Sequence, residues 1–213
     1  MSTFEQGLNA YQHGDITRAI QCWTQAAEAG DVRSQYNLGV IHDSGEHLPA
    51  NPWEAAMWYR RAAEQGFVEA QFNLALMLFN GQGCTRNPAE AAHWYQQAAQ
   101  QGHADAQFNL AQMCADGVGV QQNYPAAVQL YTLAAEQGHA AAANNLAIRY
   151  AMGQGVTQDD MLAYMWFNVA VELGDALAVR HRERVAMQLG EAQIIEAGKR
   201  SSEWLREHGF RER

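Results

Sequence analysis

Hydrophobic and polar positions along this chain repeat with a period of 36 residues. Five glycines mark the period, each closing a segment of the type AAEQG: Gly30, Gly66, Gly102, Gly138 and Gly174. Between two such glycines, apolar and small residues recur at steps of three and four in two blocks, with Pro and Gly at the edges of the blocks. This spacing is typical of amphipathic helices. Each period therefore predicts two helices, which we name helix A and helix B.

The ends of the predicted helices carry their own signals. Helix B begins at Asn51-Pro52 and Asn87-Pro88, where the asparagine can cap the first turn and the proline needs no N–H partner. Helix A ends at a glycine suited to the left-handed position after a helix: Gly45, Gly81, Gly117 and Gly153. The end of helix A and the start of helix B therefore both carry residues that suit those positions.

The period also sets the organisation of the chain. Four complete units are predicted at 31–66, 67–102, 103–138 and 139–174, between a degenerate capping helix pair at 1–30 and C-terminal capping helices at 175–213. One helix pair cannot cover its own apolar surface, so the pairs must stack. We predict an all-α protein, a right-handed α-solenoid of about six antiparallel helix pairs.

The motifs inside each unit resemble one known repeat. The string AQFNLA at 70–75 and 106–111 is followed by a loop of the form Gly-x-Gly and then by a helix B such as EAAHWYQQAAQQG at 90–102. This pattern is similar to the Sel1-like repeat family, a relative of the tetratricopeptide repeats, and the tail resembles the helical ends of bacterial members. The first complete unit departs from it, with the loop GEHLPANP. The resemblance implies a non-enzymatic scaffold or adaptor that binds peptides or proteins on a curved surface.

One strip of helix A is expected to line the inner curve of the stack. Its aromatic, aliphatic and polar members could hold the apolar anchors of an extended or helical peptide. They are Tyr36, Val40, Phe72, Leu76, Phe79, Phe108, Gln112 and Asn144. The alternative is that Tyr36, Phe72 and Phe108 wedge between successive A helices and belong to the core.

An asparagine ladder runs beside this strip: Asn37, Asn73, Asn109 and Asn145. Asparagine is a mediocre helix former, so four in register require a reason. An amide both donates and accepts hydrogen bonds, which suits a peptide backbone whatever its side chains. In tetratricopeptide proteins that look similar here, such as kinesin light chains, the matching asparagine contacts bound peptide. The alternative is a structural amide that bonds to the loop of the neighbouring repeat.

Composition narrows the possible partners. The 213 residues are 48% hydrophobic and 17% charged, with a formal net charge of −9. An acidic chain does not favour nucleic acid or anionic lipid, so we expect neither as a partner. Residues 175–213 differ, with eight basic and seven acidic residues. Arg180, Arg182 and Arg184 there predict either a contact for an acidic partner or a second copy, or a solvated capping face.

The lack of an export signal in the N-terminal segment and the spacing of the cysteines both indicate the cytoplasm. The N-terminal segment has neither a basic start nor an apolar stretch, and 18 apolar residues never run together. Cys22, Cys84 and Cys114 fit no disulfide framework or zinc spacing. We therefore expect a cytoplasmic protein with free thiols and no membrane span.

No catalytic motif fits this sequence. No serine has a lysine three residues later. This argues against the β-lactamase or penicillin-binding activity described for a cysteine-rich branch of the Sel1-like repeat family. A metal could gather only at His42-Asp43-Ser44-Gly45-Glu46-His47, where six consecutive residues do not ensure convergent ligands. The prediction is a protein without enzyme activity, cofactor or metal that binds a protein or peptide. β-Lactam hydrolysis and self-association into a homo-oligomer are the alternatives.

Overall fold

The structure is a computed structural model that describes residues 1–210, and within them it contains helices and no strands. Helices with odd numbers correspond to helix A and those with even numbers to helix B. Their bounds are α1 Thr3–Gln12, α2 Ile16–Glu28, α3 Val32–Ser44, α4 Pro52–Glu64, α5 Val68–Asn80, α6 Pro88–Gln100, α7 Ala104–Asp116, α8 Tyr124–Glu136, α9 Ala140–Met152, α10 Asp160–Glu172, α11 Ala176–Ala186 and α12 Glu191–Glu207. The all-α class and the six helix pairs are confirmed.

The helices form two compact units, Met1–Gln101 and Gly102–Arg213, which are named the first unit and the second unit. A complete unit, in contrast, is one of the 36-residue periods. In the first, the pairs α1–α2, α3–α4 and α5–α6 each pack as a hairpin, and α2–α3 and α4–α5 contacts stack one pair on the next. In the second, the hairpins α7–α8 and α9–α10 stack in the same way. Its last two helices depart from this arrangement because α11 and α12 both pack against α10.

The predicted helix boundaries are confirmed by their capping geometry. The side chains of Asn51, Asn87, Asn123 and Asp159 each accept a hydrogen bond from the backbone N–H three residues later. The glycines after the four middle A helices are left-handed, with φ between 65° and 74°. The chain therefore turns where the sequence supplies residues that tolerate the turn.

The core is built from small residues on one helix and large rings on its neighbour. Tyr59, Tyr95, Tyr131 and Phe167 occupy the same position of helix B and are almost fully buried. In α3, Gly39 lies so close to Tyr59 that a Cβ atom would come within 2.5 Å of the ring. Alanine takes the place of Gly39 in the other units, at Ala75, Ala111 and Ala147, and is fully buried there. This close packing fixes how each A helix lies on its B helix.

The Gly-x-Gly loop has a structural reason of its own. Gly83 has φ +64°, and a Cβ atom there would lie 2.0 Å from the carbonyl oxygen of Pro52, at the start of α4. Gly155 approaches the backbone of Tyr124 in the same way in the second unit. The loop thus packs on the N-terminus of the preceding helix B, where a side chain would not fit.

Candidate protein-binding surface

The asparagine ladder contacts tyrosines of the preceding helix pair. Asn73 of α5 hydrogen bonds to the hydroxyls of Tyr36 and Tyr59. In the second unit, Nδ2 of Asn145 donates to the hydroxyl of Tyr131 at 3.3 Å. The structural alternative for these amides placed their partner in a neighbouring loop, whereas the structure places it on neighbouring helices.

These tyrosine hydroxyls are strongly perturbed by their surroundings. Burial raises the pKa of Tyr131 to about 12, against the lowering effect of its hydrogen bond to Asn145. Burial also raises the pKa of Tyr59, and the nearby Asp43 carboxylate adds to the rise. Both rings therefore stay neutral around pH 7 and can accept hydrogen bonds from the amides.

The aromatic residues of the strip are half-buried and pack on other rings. Phe108 stacks on His139, with ring centroids 4.3 Å apart, and His139 in turn caps α9. Tyr36 lies between Tyr59 and Phe67, at centroid distances of 5.9 and 5.0 Å. Phe72 lies 5.9 Å from Tyr95 by the same measure. Each of these rings is therefore packed against a neighbouring ring and remains partly exposed.

Other members of the strip face solvent more directly. Val40 and Leu76 are 36% and 40% exposed, and Gln112 is exposed at the equivalent position of α7. Phe79 is half-buried, with the Arg86 guanidinium 5.7 Å from its ring centroid. Val40 and Leu76 thus leave apolar surface at the same position of α3 and α5.

Asn144 is placed differently from the rest of the strip. It is buried at 6% exposure, and its Oδ1 lies 2.9 Å from Nδ1 of His181 in α11. Its amide therefore holds the A helix that follows. Asn109 is half-buried on α7, next to Phe108.

A small apolar hollow of about 180 Å³ lies at the start of the first unit. Its walls come from α1, α2 and α3 and comprise Leu8, Tyr11, Trp23, Asn37, Val40 and Ile41. Two of the predicted binding residues, Asn37 and Val40, are thus brought together with four residues that were not predicted to bind: Leu8, Tyr11, Trp23 and Ile41.

The amide of Asn37 differs from those of Asn73 and Asn145. Trp23 occupies the position that Tyr59 and Tyr131 hold in later units, and its indole N–H donates to the carbonyl of Phe4 at 3.3 Å. Trp23 has no hydroxyl to offer, and among residues 1–210 no group hydrogen bonds to the Asn37 side chain. The signal in the sequence was Trp23, a tryptophan where the repeat elsewhere has tyrosine.

Hydrogen-bonded glutamines, which were not predicted from the sequence, hold successive helices together. Nε2 of Gln71 donates to the carbonyl of Ala63 at 3.2 Å, and its Oε1 accepts from Gln101 at 2.8 Å. Gln35 repeats the arrangement with Ala27 and Gln65. The glutamine before the aromatic residue of AQFNLA therefore braces the stack and is not open to a partner.

The histidines of the candidate metal segment have separate partners. Nε2 of His42 lies 3.0 Å from Oε2 of Glu54, and Nε2 of His47 lies 3.3 Å from the hydroxyl of Tyr11. Across the part of the chain that the structure describes, no three His, Cys, Asp or Glu side chains are grouped as metal ligands. None of the helices within residues 1–210 combines the length and apolar character needed to cross a membrane.

A family model for the Sel1 repeat matches five successive segments of the chain, 4–31, 32–67, 68–103, 104–139 and 140–175. The first of these is the segment predicted as a degenerate pair. None of the curated proteins compared with the chain is significantly similar to it.

Two solved structures are similar over nearly the whole chain. One is a protective antigen present in uropathogenic Escherichia coli strains, which displays an SLR fold. It is 29% identical over 97% of this chain and 45% of its own, with a TM-score of 0.82. The other is a Sel1 repeat protein from Oxalobacter formigenes, 29% identical over 95% of this chain and 83% of its own, with a TM-score of 0.79. This chain thus spans less than half the length of the first.

Proposed function

Because the chain belongs to the Sel1 repeat family, whose fold generally mediates protein–protein interaction, we propose that it binds a protein segment along the exposed faces of its A helices. The observation that carries the proposal is the hollow at α1–α3, where apolar walls surround an amide without a partner. Apolar walls accept an apolar side chain, and the Asn37 amide can donate to and accept from the backbone beside it.

The rest of the strip extends this contact within each unit. Val40 and Leu76 offer apolar surface, and the half-buried rings of Tyr36 and Phe72 add to it. Asn73 uses part of its hydrogen-bonding capacity on tyrosine hydroxyls, and an amide has four positions in all, so some remain for a partner. In the second unit, Phe108, Asn109, Gln112 and Asn145 offer the corresponding contacts. The structural and the binding roles of the ladder are compatible.

The charge of the first unit indicates what flanks the bound segment. Residues 1–101 contain ten Asp and Glu but only five Arg and no Lys. We infer that the preferred segment has apolar anchors with basic neighbours, because opposite charges speed association and exclude wrong partners. The same proposal makes the protein a cytoplasmic binding module without a catalytic step.

The experiment selects peptides from a random displayed library on the purified chain and measures their affinity by fluorescence anisotropy. Asn37→Ala is expected to weaken binding about tenfold, the effect of about 1.4 kcal/mol. Its melting temperature should stay that of the wild type, since Asn37 has no partner to lose. Asn80→Ala, at the exposed end of α5, serves as the matched control.

Equal binding by wild type and an Asn37→Ala, Val40→Glu double variant would contradict the proposal. Self-association is tested in parallel by light scattering. A dimer that dissociates in the Val40→Glu variant would instead favour the homo-oligomer. Nitrocefin turnover by the purified protein would favour the β-lactam alternative.

A further inference from the structure

A second cavity, of about 290 Å³, lies in the second unit between α9, α10 and α11. Its apolar wall includes Ile148 and Ala151 of α9, Phe167 of α10 and Val185 of α11. Phe167 and Val185 are buried residues of the hydrophobic core. The floor of the pocket is therefore formed by well-packed core residues. Its volume is at the lower end for ligand pockets, which suits one large side chain better than a cofactor.

Positive charge borders this pocket. Arg184 of α11 lines it and is exposed, and no carboxylate within the described residues lies within ion-pair distance of its guanidinium. His181, one turn earlier on the same helix, lines it as well. Its ring is held by Asn144 at 2.9 Å. One carboxylate, Asp160, is also part of the lining, in the first turn of α10, where a negative charge stabilises the helix N-terminus.

The surrounding charge distribution makes this border unusual. Residues 1–174 carry six arginines, no lysine and sixteen acidic residues, whereas α11 brings Arg180, Arg182 and Arg184 within five positions. The Arg182 guanidinium donates a hydrogen bond to Oδ1 of Asn168 at 3.2 Å. Arg184 is therefore the cation of this cluster that both lines the pocket and lacks a carboxylate.

We infer that this pocket docks a partner protein segment in which an apolar side chain stands beside an acidic residue. The apolar side chain enters between Ile148, Phe167 and Val185, and the neighbouring carboxylate pairs with the Arg184 guanidinium, which can hold it through two parallel hydrogen bonds. The occupant is acidic because the exposed charge of the lining, Arg184, is positive, whereas the Asp160 carboxylate is half-buried in the first turn of α10. This site uses other residues than the hollow in the first unit, so it stands or falls separately from the proposed function.

The test measures amide chemical-shift changes in the labelled full chain on titration with three synthetic peptides. The first has one leucine between two glutamates in a Gly/Ser background. The second has lysines in place of the glutamates, and the third has serine in place of the leucine. Only the first should shift the amides of Ala151, Phe167 and Val185, with an apparent affinity at least fivefold above those of the other two.

Two charge reversals on the same helix complete the test. Arg184→Glu should weaken the first peptide about tenfold, whereas Arg180→Glu, an exposed change of the same charge outside the pocket, should change its affinity less than twofold. Both arginines are exposed, so neither variant should lose helicity by circular dichroism. Equal effects of the two reversals, equal binding of the three peptides, or no shift at the pocket amides would each overturn the inference.

Discussion

A single buried hydroxyl distinguishes the first complete unit from the others. Ser34 of α3 is fully buried, and its Oγ has no hydrogen-bond partner within the part of the chain described. The same position in the next three units is alanine, at Ala70, Ala106 and Ala142, each buried to the same degree. A buried hydroxyl without a partner costs free energy, because it has lost its water.

Ser34→Ala is therefore expected to raise the stability of the protein by about 1 kcal/mol. The measurement is the denaturation midpoint in urea. Ser44→Ala, which alters an exposed serine at the end of the same helix, is the control and should gain nothing. A lower midpoint for Ser34→Ala would show that the hydroxyl has a partner in solution.

The buried tyrosines predict a response to alkaline pH. Burial raises the pKa of Tyr131 from its ordinary 10 to about 12, so the fold favours the neutral phenol. The stability that depends on this neutral form is complete below pH 10 and is lost as the pH rises from about 10 to about 12. Tyrosinate absorbance in the folded protein should show a late ionisation that Tyr131→Phe reduces by the amplitude of one tyrosine. An unchanged late step in that variant would contradict the assignment.

At the scale of elements, the helices were predictable because their signals are local. Asn51 and Pro52 start α4, and Gly81 ends α5. In both cases the interactions that set the boundary involve only residues a few positions away. The partner of a side chain was harder to predict, since it lies in a neighbouring pair. The Asn73 to Tyr59 contact and the Gln71 to Gln101 contact depend on how the pairs stack.

The hollow at α1–α3 was equally hard to predict, because its walls come from different helix pairs. Leu8, Tyr11 and Trp23 belong to a segment that the sequence predicted only as a degenerate cap, so its residues were not candidates. The hydrogen-bonded glutamine pair has one exception among the four complete units. The last complete unit has Ala143 and Leu173 where earlier units have the glutamine pair, so both polar partners are lost together and neither is left buried alone.

The Gly-x-Gly loop allows a prediction at this scale. Gly83→Ala places a Cβ atom against the carbonyl of Pro52 and also requires an unfavourable positive φ. Gly66→Ala requires a positive φ of 88° but meets no atom within 4 Å, so it isolates the backbone cost. We expect Gly66→Ala to lose about 1–2 kcal/mol and Gly83→Ala at least about 2 kcal/mol more, measured by urea denaturation. Equal losses would mean that the loop does not pack on α4.

At the scale of the whole molecule, charge separates the two proposed sites. The first unit is acidic, and the basic cluster lies on α11 in the second. The two proposals therefore assign opposite preferences to the two sites, basic segments to the hollow and acidic segments to the pocket. The period alone could not show this difference, because it describes what the units share.

The last prediction follows from that separation. Peptides selected on the hollow should carry a net positive charge, and raising the salt concentration from about 0.05 to about 0.5 M should weaken them several-fold, since exposed charges are screened over a few ångströms at high salt. The apolar contact is not screened, so binding should fall to a plateau and not to zero. Peptide affinities measured over this range, with wild type and Asn37→Ala side by side, should give curves of equal slope displaced by a constant factor, because the amide contact carries no charge. Selected peptides of net negative charge, or curves that converge at high salt, would mean that the acidic surface and the Asn37 amide do not act on the same bound segment.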